Sequence, residues 1–328
     1  MSMRCLRSLA VFAMVLALGL MDRGASAAAA ERIYVLSQTG ATLSEIEDGA
    51  EATSGAIALD KAPAALAIAP DGSRAYVTHP DLGAVSIVDL AKKSVLRTLK
   101  VGGSPFGVAI ARDGRLFVAD WNGSHVSVLD ADGNEPAKTV EVGRAPAHLL
   151  LSPDEKLLFV ANRESDSVSV IRTDDLTAAA TVPVGHAPFA IALSPDARSL
   201  YVGNVQGGTV SRIDTTTFKV ADVMQSGAMP YGAAVVGDGS RVLVTNQQSG
   251  TIAVLGAAGA PPAHVKVGSY PEGIVIVAGG ARCYVANWFS DTVSVVDLAS
   301  LKEIRRIKVP GGPRGLAVLH ETPERPSP

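Results

Sequence analysis

The sequence predicts an all-β fold: a seven-bladed β-propeller of four-stranded antiparallel blades, its ring closed by N- and C-terminal strands that share one blade. Three observations predict it. Seven prolines, Pro63, Pro105, Pro146, Pro188, Pro230, Pro271 and Pro313, recur at intervals of 41 or 42 residues. Each interval holds four short β-rich runs separated by turn residues. The two ends of the chain hold complementary parts of one further copy. A fixed period near 40 residues means one supersecondary unit copied many times.

The unit from Val184 to Gln225 shows the order of events. A Val-Gly-x-x-Pro opening leads into a short apolar run at 189–193, followed by a turn at Pro195-Asp196. An apolar strand at 200–203, a polar loop at 204–208 and an alternating strand at 209–214 come next. After a turn at 215–217, a last strand leads to the following repeat. Runs of four to seven residues bounded by Gly, Pro, Asp and Asn read as an antiparallel meander. Asp71-Gly72, Asp113-Gly114 and Asp238-Gly239 fit tight hairpins, because glycine tolerates positive φ.

A lone four-stranded sheet has two faces to cover. Radial stacking covers both and shortens the exposed edges, which a propeller does and an uncapped solenoid does not. Six full repeats start at Leu59, Val101, Val142, Val184, Ser226 and Val267. After Pro313 the chain supplies one strand, 314–320. Before Pro63 it supplies the other three, at 33–36, 41–46 and 56–59. Tyr34 stands 29 residues before Pro63, and Tyr284 stands 29 before Pro313, so the registers agree. The propeller domain is expected over residues 31–320.

The N-terminus reads as an export signal over residues 1–27. Arg4 and Arg7 precede a 12-residue apolar core, Leu9 to Leu20, and Ala25-Ser26-Ala27 offers a small-x-small cleavage site. The core is short for a membrane span, and no later segment reaches 18 apolar residues. The expected location is periplasmic or secreted, with no membrane span in the mature chain, a monomeric state and a disordered Pro-rich tail at 321–328. Cys5 leaves with the signal and Cys283 stands alone, so no intrachain disulfide forms and the core must carry stability. Loss of the signal makes the formal charge of −3 two units more negative, which argues against nucleic acid as partner.

The second strands carry a recurring motif: Tyr76-Val77-Thr78-His79, Phe117-Val118-Ala119-Asp120, Phe159-Val160-Ala161-Asn162, Tyr201-Val202-Gly203-Asn204, Leu243-Val244-Thr245-Asn246 and Tyr284-Val285-Ala286-Asn287. Together with the Val-Gly-x-x-Pro opening, over residues 31–320, it resembles the YVTN-repeat family of β-propellers. No copy spells the motif in full, and Ser37, His79 and Asp120 replace its Asn. The resemblance implies an exported propeller, and relatives include binding proteins, surface-layer repeats, lactonases and subunits of periplasmic dehydrogenases. The Asn is expected to be structural, bonding nearby backbone at a strand end and tolerating the left-handed region.

Catalytic signatures are absent: no nucleophile elbow, phosphate loop or dinucleotide fingerprint follows a strand. The six histidines share no metal-type spacing, and no cofactor or metal is expected. Asp130-x-Asp132-Gly133-Asn134 lacks the twelfth-position Glu of a calcium loop and reads as a plain turn. Cys283 reads as a buried, inert thiol.

What remains is geometry. In a propeller the loops between second and third strands, and those leading into each innermost strand, share one face around the central channel. The residues following the prolines are Ala64, Phe106, Ala147, Phe189, Tyr231, Glu272 and Arg314. The next position is Gly or Ala, except for His148. The second-strand loops add Trp121, Arg163 and Trp288. Aromatic walls with a few polar groups suit a small organic ligand or a partner protein's side chains. Glu272 and Arg314 fall in adjacent blades and can pair, and a guanidinium there can bind a carboxylate. The expected function is a non-catalytic binding or scaffold protein using this channel-mouth face, through Phe106, Trp121, His148, Arg163, Phe189, Tyr231, Glu272, Trp288 and Arg314. The alternatives are a lactonase-type hydrolase, which needs channel carboxylates, and a propeller subunit of a periplasmic dehydrogenase complex. Aromatic stacking of single-stranded nucleic acid is disfavoured by the net charge.

Overall fold

The computed structural model describes residues 31–130, 132, 138–256 and 260–319. The expected signal, the tail and most of the Asp130–Asn134 turn lie outside them. Within them, 28 strands form seven four-stranded antiparallel sheets in a ring. Helix is limited to three short 3-10 turns, at Pro80–Leu82, Ala278–Gly280 and Trp288–Ser290. No described helix is long and apolar enough to cross a membrane.

We number the blades by their innermost strands. Blade 1 starts at Leu66–Ile68, blade 2 at Pro105–Ile110, blade 3 at Pro146–Leu151 and blade 4 at Pro188–Leu193. Blade 5 starts at Pro230–Val235, blade 6 at Pro271–Ile276 and blade 7 at Pro313–Leu319. Blade 7 is the shared one: Pro313–Leu319 pairs antiparallel with Arg32–Ser37, followed outward by Thr42–Glu47 and Gly55–Ala58. The innermost strand of blade 1 is shorter than expected, covering three residues rather than running from Ala64.

Blades cohere through apolar layers between their faces. Tyr76, Val85 and Ile87 of blade 1 pack on Val108, Ile110 and Leu116 of blade 2. Ile33, Val35 and Ile46 of blade 7 pack on Tyr284, Val293 and Val295 of blade 6. The Tyr284 hydroxyl accepts from Gly49 N–H at 3.0 Å and donates to Asp48 Oδ1 at 2.7 Å, tying these blades at their margin. Cys283 is fully buried among apolar neighbours, and burial pushes its thiol up to about 12.

The motif Asn works differently from expectation. Asn287 has φ of −110°, and none of the Asn strand ends lies at positive φ. In three blades its amide bonds hydroxyls on the third strand instead of backbone. Asn162 Nδ2 donates to Ser167 and Ser169, Asn204 to Thr209 and Ser211, and Asn287 to Thr292 and Ser294, all at 2.9–3.2 Å. A carboxamide reaches across one strand spacing to hydroxyls five and seven residues on, which a rigid ladder holds in line. Asn246 has Ala253 at the seventh position, so it turns to Ser226, accepting from its hydroxyl and donating to its carbonyl.

Candidate functional site

Six of the seven innermost strands are bulged behind the opening proline, whereas that of blade 1 begins at Leu66 and pairs without a shift. Pro188 pairs with Asn204 and Ile191 with Val202, so Phe189 and Ala190 stand outside the regular ladder. The same shift occurs in blades 2, 3 and 6. A bulge re-aims the side chains it carries, which turns the residue after each of these prolines into the channel. In blades 2, 5 and 6 the position after that is a glycine with no room for a Cβ beside the next blade. A Cβ on Gly232 would lie 2.2 Å from the Glu272 carbonyl oxygen, and one on Gly273 would lie 2.6 Å from that of Arg314.

The structure brings the candidate residues into one cluster, but it does not leave them around an open rim. Phe106 packs on Trp121 at 4.8 Å and on Phe189 at 5.7 Å between ring centroids. Phe189 stacks on Tyr231 at 4.1 Å and meets His148 at 4.6 Å. Arg314 reaches in from blade 7 past the small Ala64, and its guanidinium lies 5.4 Å from both the Phe106 and Trp288 rings. Arg163 lies over Trp121 at 5.8 Å. Trp121, Arg163 and Trp288 are half-buried at the outer layer, while Phe189 is fully buried below them.

Glu272 and Arg314 form an ion pair beneath the aromatics, with Nε 3.4 Å from Oε2 and side chains only 11% and 5% exposed for Arg314 and Glu272. Arg314 Nη2 donates to Tyr231 Oη at 3.1 Å. Gln247 Nε2 donates to Glu272 Oε1 at 2.9 Å, whereas Glu272 Oε2 accepts no hydrogen bond. Burial pushes the Glu272 carboxyl up to about 7, against the pull of Arg314 and of the Gln247 amide. Burial, reinforced by Arg314, holds His148 down at about 4, so its ring is neutral. Burial lifts Tyr231 to about 12.

Below this layer lies a cavity of about 140 Å³ lined by His148, Tyr231, Glu272, Arg314 and the small and aliphatic residues of the inner strands. Glu272 is the one carboxylate on its wall. Among the described residues no group of three or more His, Cys, Asp or Glu is arranged to hold a metal.

Two members of the site were missed in the sequence. Gln247 supports Glu272, and Val205 completes the apolar layer with Phe189 and Ala147. Both follow a second strand, as Trp121, Arg163 and Trp288 do. That shared register was the available signal. The loops are built alike: Trp121, Arg163, Val205, Gln247 and Trp288 each donate their backbone N–H to the residue preceding a proline.

The sequence profile of the YNCE-like β-propeller family matches residues 9–324. The chain belongs to that family. No curated protein sequence matches it. Among solved structures it is similar to a functionally unknown protein from Desulfotomaculum acetoxidans DSM 771, with a TM-score of 0.77 and 16% identity over 89% of this chain and 100% of that one. It is similar to a candidate 6-phosphogluconolactonase from Bacteroides uniformis ATCC 8492, with a TM-score of 0.75 and 17% identity over 89% of this chain and 100% of that one. It is also similar to Kuenenia stuttgartiensis hydrazine synthase, with a TM-score of 0.70 and 18% identity over 78% of this chain and 95% of that one. At these identities the shared property is the fold.

Proposed function

We propose that this YNCE-like propeller is an exported, periplasmic or secreted, non-catalytic protein that holds a partner on its channel-mouth face. The observation that carries the reading is the stacked layer of Phe106, Trp121, Trp288, Arg314 and Arg163. Aromatic and arginine side chains held rigidly at low entropic cost are the usual anchors of recognition surfaces. They stand on bulged strands and short loops of a closed ring, which supports preorganisation. The YVTN-like strand motif and the N-terminal signal pattern support the exported location.

The test is affinity capture from a periplasmic extract, comparing wild type with Trp121→Ala/Trp288→Ala. A protein retained by wild type and lost by the variant at unchanged thermal stability supports the reading. Identical capture by both removes it.

A lactonase reading draws on one observation, the buried Glu272 on the cavity wall. It requires hydrolysis of a sugar lactone that Glu272→Gln reduces by at least ~10²-fold, the scale of general acid–base catalysis.

A further inference from the structure

Arg314 is the cation of the cavity, and the protein uses only part of its set of donors. Its Nη2 is used by Tyr231, its Nε meets Glu272 at the long distance of 3.4 Å, and Nη1 has no hydrogen-bond partner among the described residues. Its counter-ion is equally loose, since Glu272 Oε2 is buried, 3.4 Å from Nε, and accepts no hydrogen bond. Guanidinium groups bind carboxylates best through two parallel N–H···O bonds, a geometry Glu272 does not supply. His148 lines the same cavity and makes ring contacts only, with Phe106 and Phe189. The remaining wall is aliphatic, built from Leu66, Ile191, Ile274 and Leu316. A cavity of about 140 Å³ is close to the roughly 150 Å³ that accommodates benzene, a molecule of six heavy atoms.

We propose that this cavity is a binding site for a small aliphatic monocarboxylate of about six heavy atoms, which takes the Arg314 guanidinium in place of Glu272 while Glu272 takes up a proton. The inference rests on the channel-mouth reading for its place in the molecule but not for its chemistry. The ligand carboxylate accepts from Arg314 and from the Tyr231 hydroxyl, and the alkyl chain lies on the aliphatic wall. Two anions cannot share one buried cation, so Glu272 becomes the neutral acid and donates its new proton to a ligand oxygen. Charge balances: one anion enters, one proton enters, and no bond to carbon changes.

The charged and titratable groups around Glu272 are Arg314 from blade 7, Tyr231 from blade 5 and His148 from blade 3, with Arg163 and Tyr270 acting on Tyr231 from the rim. Burial already holds the Glu272 carboxyl at about 7 and His148 at about 4. Between pH 6 and 8, therefore, Glu272 is the cavity group that changes state.

The probe is butyrate, titrated calorimetrically into the full-length mature protein at pH 6 and pH 8, with butyramide as the neutral isostere. The expected result is butyrate binding about tenfold tighter at pH 6, with uptake of about one proton at pH 8 and little at pH 6, and no comparable binding of butyramide. Glu272→Gln should bind butyrate equally at both pH values, and Arg314→Gln should not bind it. Silence of both wild type and Glu272→Gln at pH 6 overturns the proposal. Affinity independent of pH in wild type, or butyramide binding as tightly as butyrate, also overturns it. Failure here with partner capture through Trp121 and Trp288 intact leaves the wider reading standing. Lost capture with butyrate binding intact does the reverse.

Discussion

Gly143 and Asn162 share one space: a Cβ on Gly143 would lie 2.7 Å from the Asn162 Cβ. The same relation holds between Gly185 and Asn204 and between Gly268 and Asn287. The Gly of the Val-Gly-x-x-Pro opening is therefore there to admit the Asn that closes the second strand. Blade 7 departs at both positions together, with Pro310 in place of the Gly and Ser37 in place of the Asn. There the Ser37, Thr42 and Ser44 hydroxyls are buried without hydrogen-bond partners.

Gly143→Ala is expected to destabilise the protein by about 1–3 kcal/mol, the usual cost of overpacking. Asn162→Ser in the same chain should recover part of that loss. Urea unfolding of the two single variants and the double variant checks this, and additive losses would contradict the shared-space account.

Ser37→Asn with Pro310→Gly rebuilds the pairing of the other blades in blade 7. Bonding two orphaned hydroxyls should stabilise the ring by about 1–2 kcal/mol, read as a higher midpoint in urea. Ser37→Asn alone should give less or destabilise, because Pro310 retains the space.

The pH dependence of stability has two opposed limbs. Glu272 is held at about 7 in the fold, so the folded state binds more protons than the unfolded chain above the ordinary carboxyl value of 4.5. Its contribution is complete below 4.5 and is lost as pH rises through 7. His148 is held at about 4, so its contribution is complete above 6.5 and is lost as pH falls through 4. Each limb is worth at most about 3 kcal/mol. The limbs offset one another between pH 5 and 6.5, and stability should fall from 6.5 to 7.5. His148→Gln should show a continuous fall from pH 5 to 7.5, and Glu272→Gln a rise from 5 to 6.5. Unfolding midpoints across this range decide it; a variant with the wild-type profile would refute the assignment of its limb.

Thr245 links the site to the ring. Its hydroxyl accepts from Gly232 N–H at 2.8 Å and donates to the Glu272 carbonyl at 2.7 Å. Thr245→Val keeps the shape and orphans both groups, so it should cost about 1–3 kcal/mol. Thr78 bonds the Phe106 carbonyl in the same way, and Thr78→Val should behave alike. A neutral result at both positions would remove this link.

The fold was legible because it is repeated: a proline every 41 or 42 residues and a split copy at the ends leave one way to close seven blades. The site was legible as a set of positions, since in six of the seven blades the residue after the proline is fixed by the bulge. How those side chains settle was not. Their contacts cross the channel between blades far apart in sequence, and they depend on small residues elsewhere on the ring. Ala64 lets Arg314 reach Phe106, so the aromatics close over the ion pair instead of lining an open mouth. Gln247 escaped notice because its partner, Glu272, belongs to the next repeat. The Asn role was misplaced because its hydroxyl partners lie on the third strand and have no fixed residue type.

The proposed partner-holding role of the Trp121–Trp288 face can be read in the cell. The direct measurement is site-specific photocrosslinking in living cells, with a photoreactive phenylalanine analogue replacing Trp288 in one strain and the exposed outer-strand residue Val223 in another. A discrete adduct is expected from position 288 and none from position 223. Adducts from the outer strand with none from position 288 would show that the partner sits elsewhere.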